Sequence, residues 1–162
     1  MAPEDFFHPA VVVDARSQSR RSADYALTVT DLKRFEERHG RIPDNAMVIM
    51  WTGWQERWDD LNPTSNQDSD GVLHFPGISV QATRWLIDKR ALVGLGIDTH
   101  GVDPGIDELY MTNTLLLKKH RIDPLIALPR PRALDQRGVS LRDVAGLGQH
   151  QREGVLGRRQ NV

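Results

Sequence analysis

The sequence predicts an α/β domain. Two observations carry that reading: short β-branched runs alternate with stretches of helical period, and the two clearest helical stretches open on a residue able to cap them. The chain has 162 residues, about the size of one domain. The domain is expected over 1–128, with 129–162 a basic, irregular tail.

The first strand is "AVVVDA", Ala10–Ala15, β-branched and ending in an aspartate. "RSQSRRSAD" follows as a polar loop. "TDLKRFEERHG" reads as a helix: Thr30 caps it, Asp31 suits the positive end of its dipole, and Leu32, Phe35 and the stem of Arg38 share a face. Gly40 ends it. Pro43 and Asp44 turn the chain into "AMVIMW", a second buried strand. A long polar insertion, "TGWQERWDDLNPTSNQDSDG", comes next; loops of this length in compact domains tend to be functional or mobile. Ser79 caps "VQATRWLIDKR", with Ala82, Trp85 and Leu86 on one side. "ALVGLGID" is a third strand, glycine-rich enough for close backbone approach. "DELYMTNTLLLKKH" is a further helix, with Leu109, Thr112, Leu116 and Lys119 spaced along it, and "DPLIAL" a short strand. No internal repeat is present.

Hydrophobic content of 39% against 27% charged residues provides for a real core, though not a generous one. The chain has no cysteine, which removes disulfides, thiolate zinc sites and a cysteine nucleophile, and makes the cytoplasm the default location. The longest near-apolar run, Ala46–Trp51, is too short to span a bilayer, and the first ten residues lack the pattern of a secretory signal. The net charge of −1 gives no reason to expect nucleic acid or a membrane surface as partner. Residues 130–162 carry seven arginines against three acids; such a tail can bind an acidic partner, or it buries too little to order itself.

Among the six histidines (His8, His39, His74, His100, His120 and His150) no pair has the four-residue helical spacing of a shared metal. Phosphate-loop and GxSxG motifs are absent. Three places remain. In "GIDTHGVDPG", His100 with Asp98 or Asp103 offers imidazole and carboxylate to a cation, but both aspartates equally suit turns. In "HFPGIS", His74 lies between a long loop and a helix start and can face a pocket, or it is simply a packed or solvated residue. In "WTGWQERW", Trp51, Trp54 and Trp58 have core-like spacing; the Thr-Gly break leaves Trp54 as a candidate pocket wall.

Taken together, "PAVVVDA", "YALTVTDLKRFEERHGRIP", "MVIMWTGWQERW", "GVLHFPGISVQATRWLIDKRALVGLGID" and "DTHGVDPG" resemble the cyclase family of metal-dependent hydrolases, which includes bacterial kynurenine formamidases and isatin hydrolase. The resemblance runs over roughly Phe6 to Gly105 in family order. It implies a partial swivelling β/β/α fold with a mixed central sheet and a divalent metal, zinc or manganese. It implies hydrolysis of an amide or formamide bond, such as that of N-formylkynurenine in tryptophan breakdown, and, with exposed sheet edges, a homo-oligomer. It makes Trp54, His74, Phe75 and His100 pocket walls, and Asp98, Thr99, Asp103 and Pro104 loop-shaping residues, because "GIDTHGVDPG" matches a downstream family loop in which the place of His100 varies. The family's metal motif, HxGTHxDxPxH, lies upstream of "PAVVVDA" and has no counterpart here. A family histidine expected before the leucine run falls among Thr112, Asn113 and Thr114, and a family glutamate near Leu125. The chain therefore reads as a truncated or frame-shifted member with no recognisable metal ligands and little activity of its own, or as a non-catalytic remnant or interaction module.

Overall fold

A computed structural model describes residues 8–57 and 66–118. The expected strand "DPLIAL", the tail, Trp58, His120 and His150 lie outside the described residues. A three-stranded sheet forms from β1 (Ala10–Asp14), β3 (Met47–Trp51) and β5 (Gly94–Ile97), in the order β1-β3-β5. All pairings in it are parallel, with Val12 opposite Ile49 and Ile49 opposite Gly96. The antiparallel part of a mixed sheet is not among the described residues; an isolated antiparallel bridge joins Gln67 to Leu73. A second, two-residue parallel pair joins β2 (Ala26–Leu27) to β4 (Gly77–Ile78). Two residues carry no period, so neither was legible as a strand.

β5 is buried at every residue and β3 at every residue after Met47. Their side chains are therefore covered on both faces, as expected of parallel strands in an α/β layer. Val48, Met50, Leu95 and Ile97 meet Leu32, Ile78, Ala82, Leu86 and Leu116 in one core. Helices α2 (Val29–His39), α3 (Val80–Arg90) and α4 (Met111–Lys118) supply that cover, α2 packing on α3 and α3 on α4. Glu36 of α2 and Arg90 of α3 join them through paired bonds of 2.7 Å each, and Glu36 also accepts from the Ile42 amide. The Arg90 guanidinium holds the Glu36 carboxyl below its ordinary range.

Three expectations need correction. The "RSQSRRSAD" loop contains helix α1 (Arg16–Arg21), which buries only Ser19 and so shows no apolar period. α2 begins two residues early: its cap is Thr28, whose hydroxyl accepts from the Asp31 amide while the Asp31 side chain returns to the Thr28 amide at 3.0 Å. α4 begins at Met111, because the Asp107 carboxylate takes the amides of Leu109 and Met111 into a turn and Tyr110 has φ +49°. Ser79 does cap α3, accepting from the Ala82 amide at 3.2 Å, and its hydroxyl donates to the Leu27 carbonyl at 2.7 Å. One serine thus starts a helix and pins β2.

Candidate functional site

Parallel strands deliver their C-terminal ends to one edge of the sheet, where α/β folds place ligands. Here the edge is a seam of buried polar side chains: Thr52 and Gln55 after β3, Asp98, Thr99 and Asp103 after β5, and Thr112 in α4. Asp98 is fully buried. Its carboxylate accepts from the Thr52 amide (2.8 Å), the Thr52 hydroxyl (2.8 Å) and the Trp54 amide (2.9 Å). A buried carboxylate is tolerated only when such donors replace water. Asp98 therefore ties the exit of β5 to the exit of β3.

Thr99 donates its hydroxyl to the carbonyls of Pro76 (3.2 Å) and Gly101 (3.0 Å). Asp103 takes the Thr112 amide at 2.6 Å and the Asn113 amide at 3.1 Å, so a carboxylate meets the positive end of α4 from the preceding loop. The Thr112 hydroxyl donates to the Ile78 carbonyl at 2.8 Å. Two glycines let these loops touch: a Cβ on Gly77 would lie 2.2 Å from the Pro104 nitrogen, and one on Gly105 would lie 2.4 Å from the Leu73 oxygen.

Of the candidate pocket residues, the fold brings Phe75 and His100 together, ring centroids 5.0 Å apart and edge-on, with His100 exposed. Trp54 is buried in a short helical turn, Trp54–Arg57, with the Arg57 guanidinium 4.1 Å over its ring. His74 is held between two carboxylates: Nδ1 lies 2.8 Å from Asp24 and Nε2 lies 3.2 Å from Asp68. The bond to Asp68, with that to Asp24, raises the His74 pKa above its ordinary value of 6.5. Sequence reading missed both partners, which sit 50 and 6 residues away, because two isolated aspartates in polar stretches carry no motif. It also missed Gln55 and the Trp51 indole nitrogen, which are buried and have no hydrogen-bond partner among the described residues.

A family model described as putative cyclase matches residues 1–104. The chain belongs to the cyclase family. It is similar to the isatin hydrolase of Roseibium aggregatum, 34% identical over 97 residues, which is 60% of this chain and 36% of that protein. Among solved structures it is similar to isatin hydrolase A from Ralstonia solanacearum (39% identity, TM-score 0.69, 75% of this chain and 47% of that one). Isatin hydrolase A from Labrenzia aggregata, bound to benzyl benzoate, gives 32% identity and a TM-score of 0.67, over 75% of this chain and 48% of that one. The cyclase-family chain thus spans less than half the length of these relatives. Among its described residues no helix is long and apolar enough to cross a membrane.

The divalent metal implied by the family does not fit the residues described. No three His, Cys, Asp or Glu side chains among them converge on a common point. The available carboxylates are committed: Asp98 to Thr52 and Trp54, Asp103 to the amides of α4. His74 spends both ring nitrogens on Asp24 and Asp68. Thr112, one of the three residues among which the family resemblance leads one to look for a histidine, is fully buried, its hydroxyl on the Ile78 carbonyl.

Proposed function

We propose that this chain supplies one wall of a small-molecule pocket for amide or formamide hydrolysis, with the metal-holding residues contributed from outside the described ones. The observation that supports this is the strand-end seam. Asp98 fixes the exits of β3 and β5 before any ligand arrives, and the Phe75–His100 pair stands at its rim. Preorganised walls of this kind orient a substrate without further ordering cost. Phe75 offers an aromatic edge, and His100 an exposed imidazole that can meet a polar substrate atom. N-formylkynurenine, an intermediate of tryptophan breakdown, is the substrate we assign. A cytoplasmic location and a homo-oligomer belong to the same reading.

The test is complementation. The purified chain alone is expected to hold no stoichiometric zinc or manganese and to hydrolyse neither N-formylkynurenine nor isatin. Co-expression with a cyclase segment carrying HxGTHxDxPxH is expected to restore both metal content and turnover. Metal and turnover in the chain alone would overturn the reading. Failure of complementation would favour the second one, an interaction module, which is supported by the exposed apolar side chains Ile106, Leu109, Tyr110, Met111 and Leu117.

A further inference from the structure

His74 sits at the end of a small antiparallel turn, 66–74. The His74 amide donates to the Asn66 carbonyl at 3.0 Å, and the Asp68 amide to the Val72 carbonyl at 3.0 Å. The Asn66 side chain returns to the His74 carbonyl, and Arg57 reaches Asn66 from the side at 3.4 Å. Asp68 closes the tip, its Oδ1 accepting from the Asp70 and Val72 amides at 2.9 Å each. Its other oxygen faces His74 Nε2. Across the ring, Asp24, from the connection between α1 and β2, faces Nδ1 with both oxygens, at 2.8 and 3.0 Å. Immediately after His74 the chain is fixed differently: the Gly105 amide donates to the Phe75 carbonyl at 2.9 Å, and Gly105 itself lies against Leu73 and Phe75.

An ionised carboxylate accepts and does not donate, and a neutral imidazole has one donor and one acceptor nitrogen. A ring with a carboxylate at each nitrogen is therefore satisfied only as the imidazolium. We propose that His74 is a proton-operated brace, which holds the 66–74 turn against the α1–β2 connection and lets it go when the ring loses its proton, with Phe75 as the fixed end. The charged and titratable groups around it are Asp24, Asp68, Asp70 in the same turn, Arg57 behind Asn66, and His100 across Phe75.

The sign follows from the shifts. His74 is raised by Asp68 and Asp24, so its contribution is full below 6.5 and is lost as pH rises through the higher value of the braced ring. Asp68 is lowered, first by the Val72 amide and then by His74, so its part is lost as pH falls through that lowered value. The brace is closed between those two limits.

The test uses the full chain. The His74 ring is titrated by NMR, and amide exchange is followed across the same pH range, corrected for intrinsic rates, in wild type and in an Asp24→Asn/Asp68→Asn double variant. In wild type, both ring nitrogens are expected to be protonated below the transition. Protection at 66–74 should fall as His74 titrates, by about tenfold for each pH unit separating its transition from that in the double variant. Protection in β5 should stay constant. His74→Gln, whose two N–H donors share one nitrogen and cannot face Asp24 and Asp68 from opposite sides of a ring, should give the released turn at every pH. A wild-type ring titrating at or below its ordinary value would overturn the proposal. So would protection at 66–74 that is absent or unchanged throughout.

Discussion

Two threonine–aspartate pairs in this protein share two donors, the threonine amide and hydroxyl, and do different work. At the start of α2, Asp31 accepts from the Thr28 amide, the Thr28 hydroxyl and the Tyr25 hydroxyl. At the strand ends, Asp98 accepts from the Thr52 amide, the Thr52 hydroxyl and the Trp54 amide. The first pair is three residues apart with Thr28 exposed; the second spans 46 residues and is fully buried. Burial pushes Asp31 up, but the bonds from Thr28 and Tyr25 outweigh it and leave its carboxyl lowered. At Asp31 water can replace a lost partner. At Asp98 it cannot, so the same chemistry becomes far more consequential.

The largest effect should therefore follow Asp98→Ala. It leaves the buried Thr52 amide and hydroxyl without their acceptor, while the Trp54 amide keeps only the Thr52 hydroxyl oxygen at 3.1 Å. At about 1–3 kcal/mol for each unpaired group before relaxation, it should cost on the order of 3–5 kcal/mol in denaturant unfolding. A loss under 1 kcal/mol would break the comparison. Gly77→Ala comes next. Its Cβ would meet the backbone of Asp103 and Pro104 at 2.2–2.4 Å, and backbone cannot swing aside. We expect about 2–3 kcal/mol, read in the same unfolding curve, with the Phe75–His100 contact disturbed in NMR spectra. Thr28→Ala is the smallest. Loss of an exposed helix cap costs about 1 kcal/mol and should leave the strand-end seam unchanged by chemical shift. Equal losses from Thr28→Ala and Asp98→Ala would mean that burial is not what separates the two pairs.

The same contrast explains what the sequence revealed. The strands β1, β3 and β5 and the helices α2 and α3 were legible, because β-branched runs and caps are local signals. Ser79 was assigned as a cap from its neighbours alone. Thr30 carries the same local signal as Thr28, a threonine shortly before Asp31, and Asp31 decides between them by bonding back three residues. α1, β2 and β4 were not legible, being too short for a period and stabilised by contacts far along the chain. At the candidate site, residue type alone singles out Asp98 and Asp103, and the family resemblance adds Thr99 and Pro104 as loop-shaping residues. Their partners Thr52, Pro76, Thr112 and Gly77 could be found only once the strands were aligned. The His74 brace was hidden for the same reason: Asp24 lies on another segment altogether.

The bond between Thr52 and Asp98 has one further consequence, for engineering. It makes the chain between them a closed circuit whose two ends meet at one buried point, and Ser79 anchors α3 within it to Leu27. In polymer terms, lengthening a flexible part of such a circuit adds only about 0.6 kcal/mol per doubling, because closure entropy grows with the logarithm of length. A fluorescent label or an inserted reporter domain placed between Thr52 and Asp98 therefore leaves the exits of β3 and β5 held by a contact that the insertion does not touch.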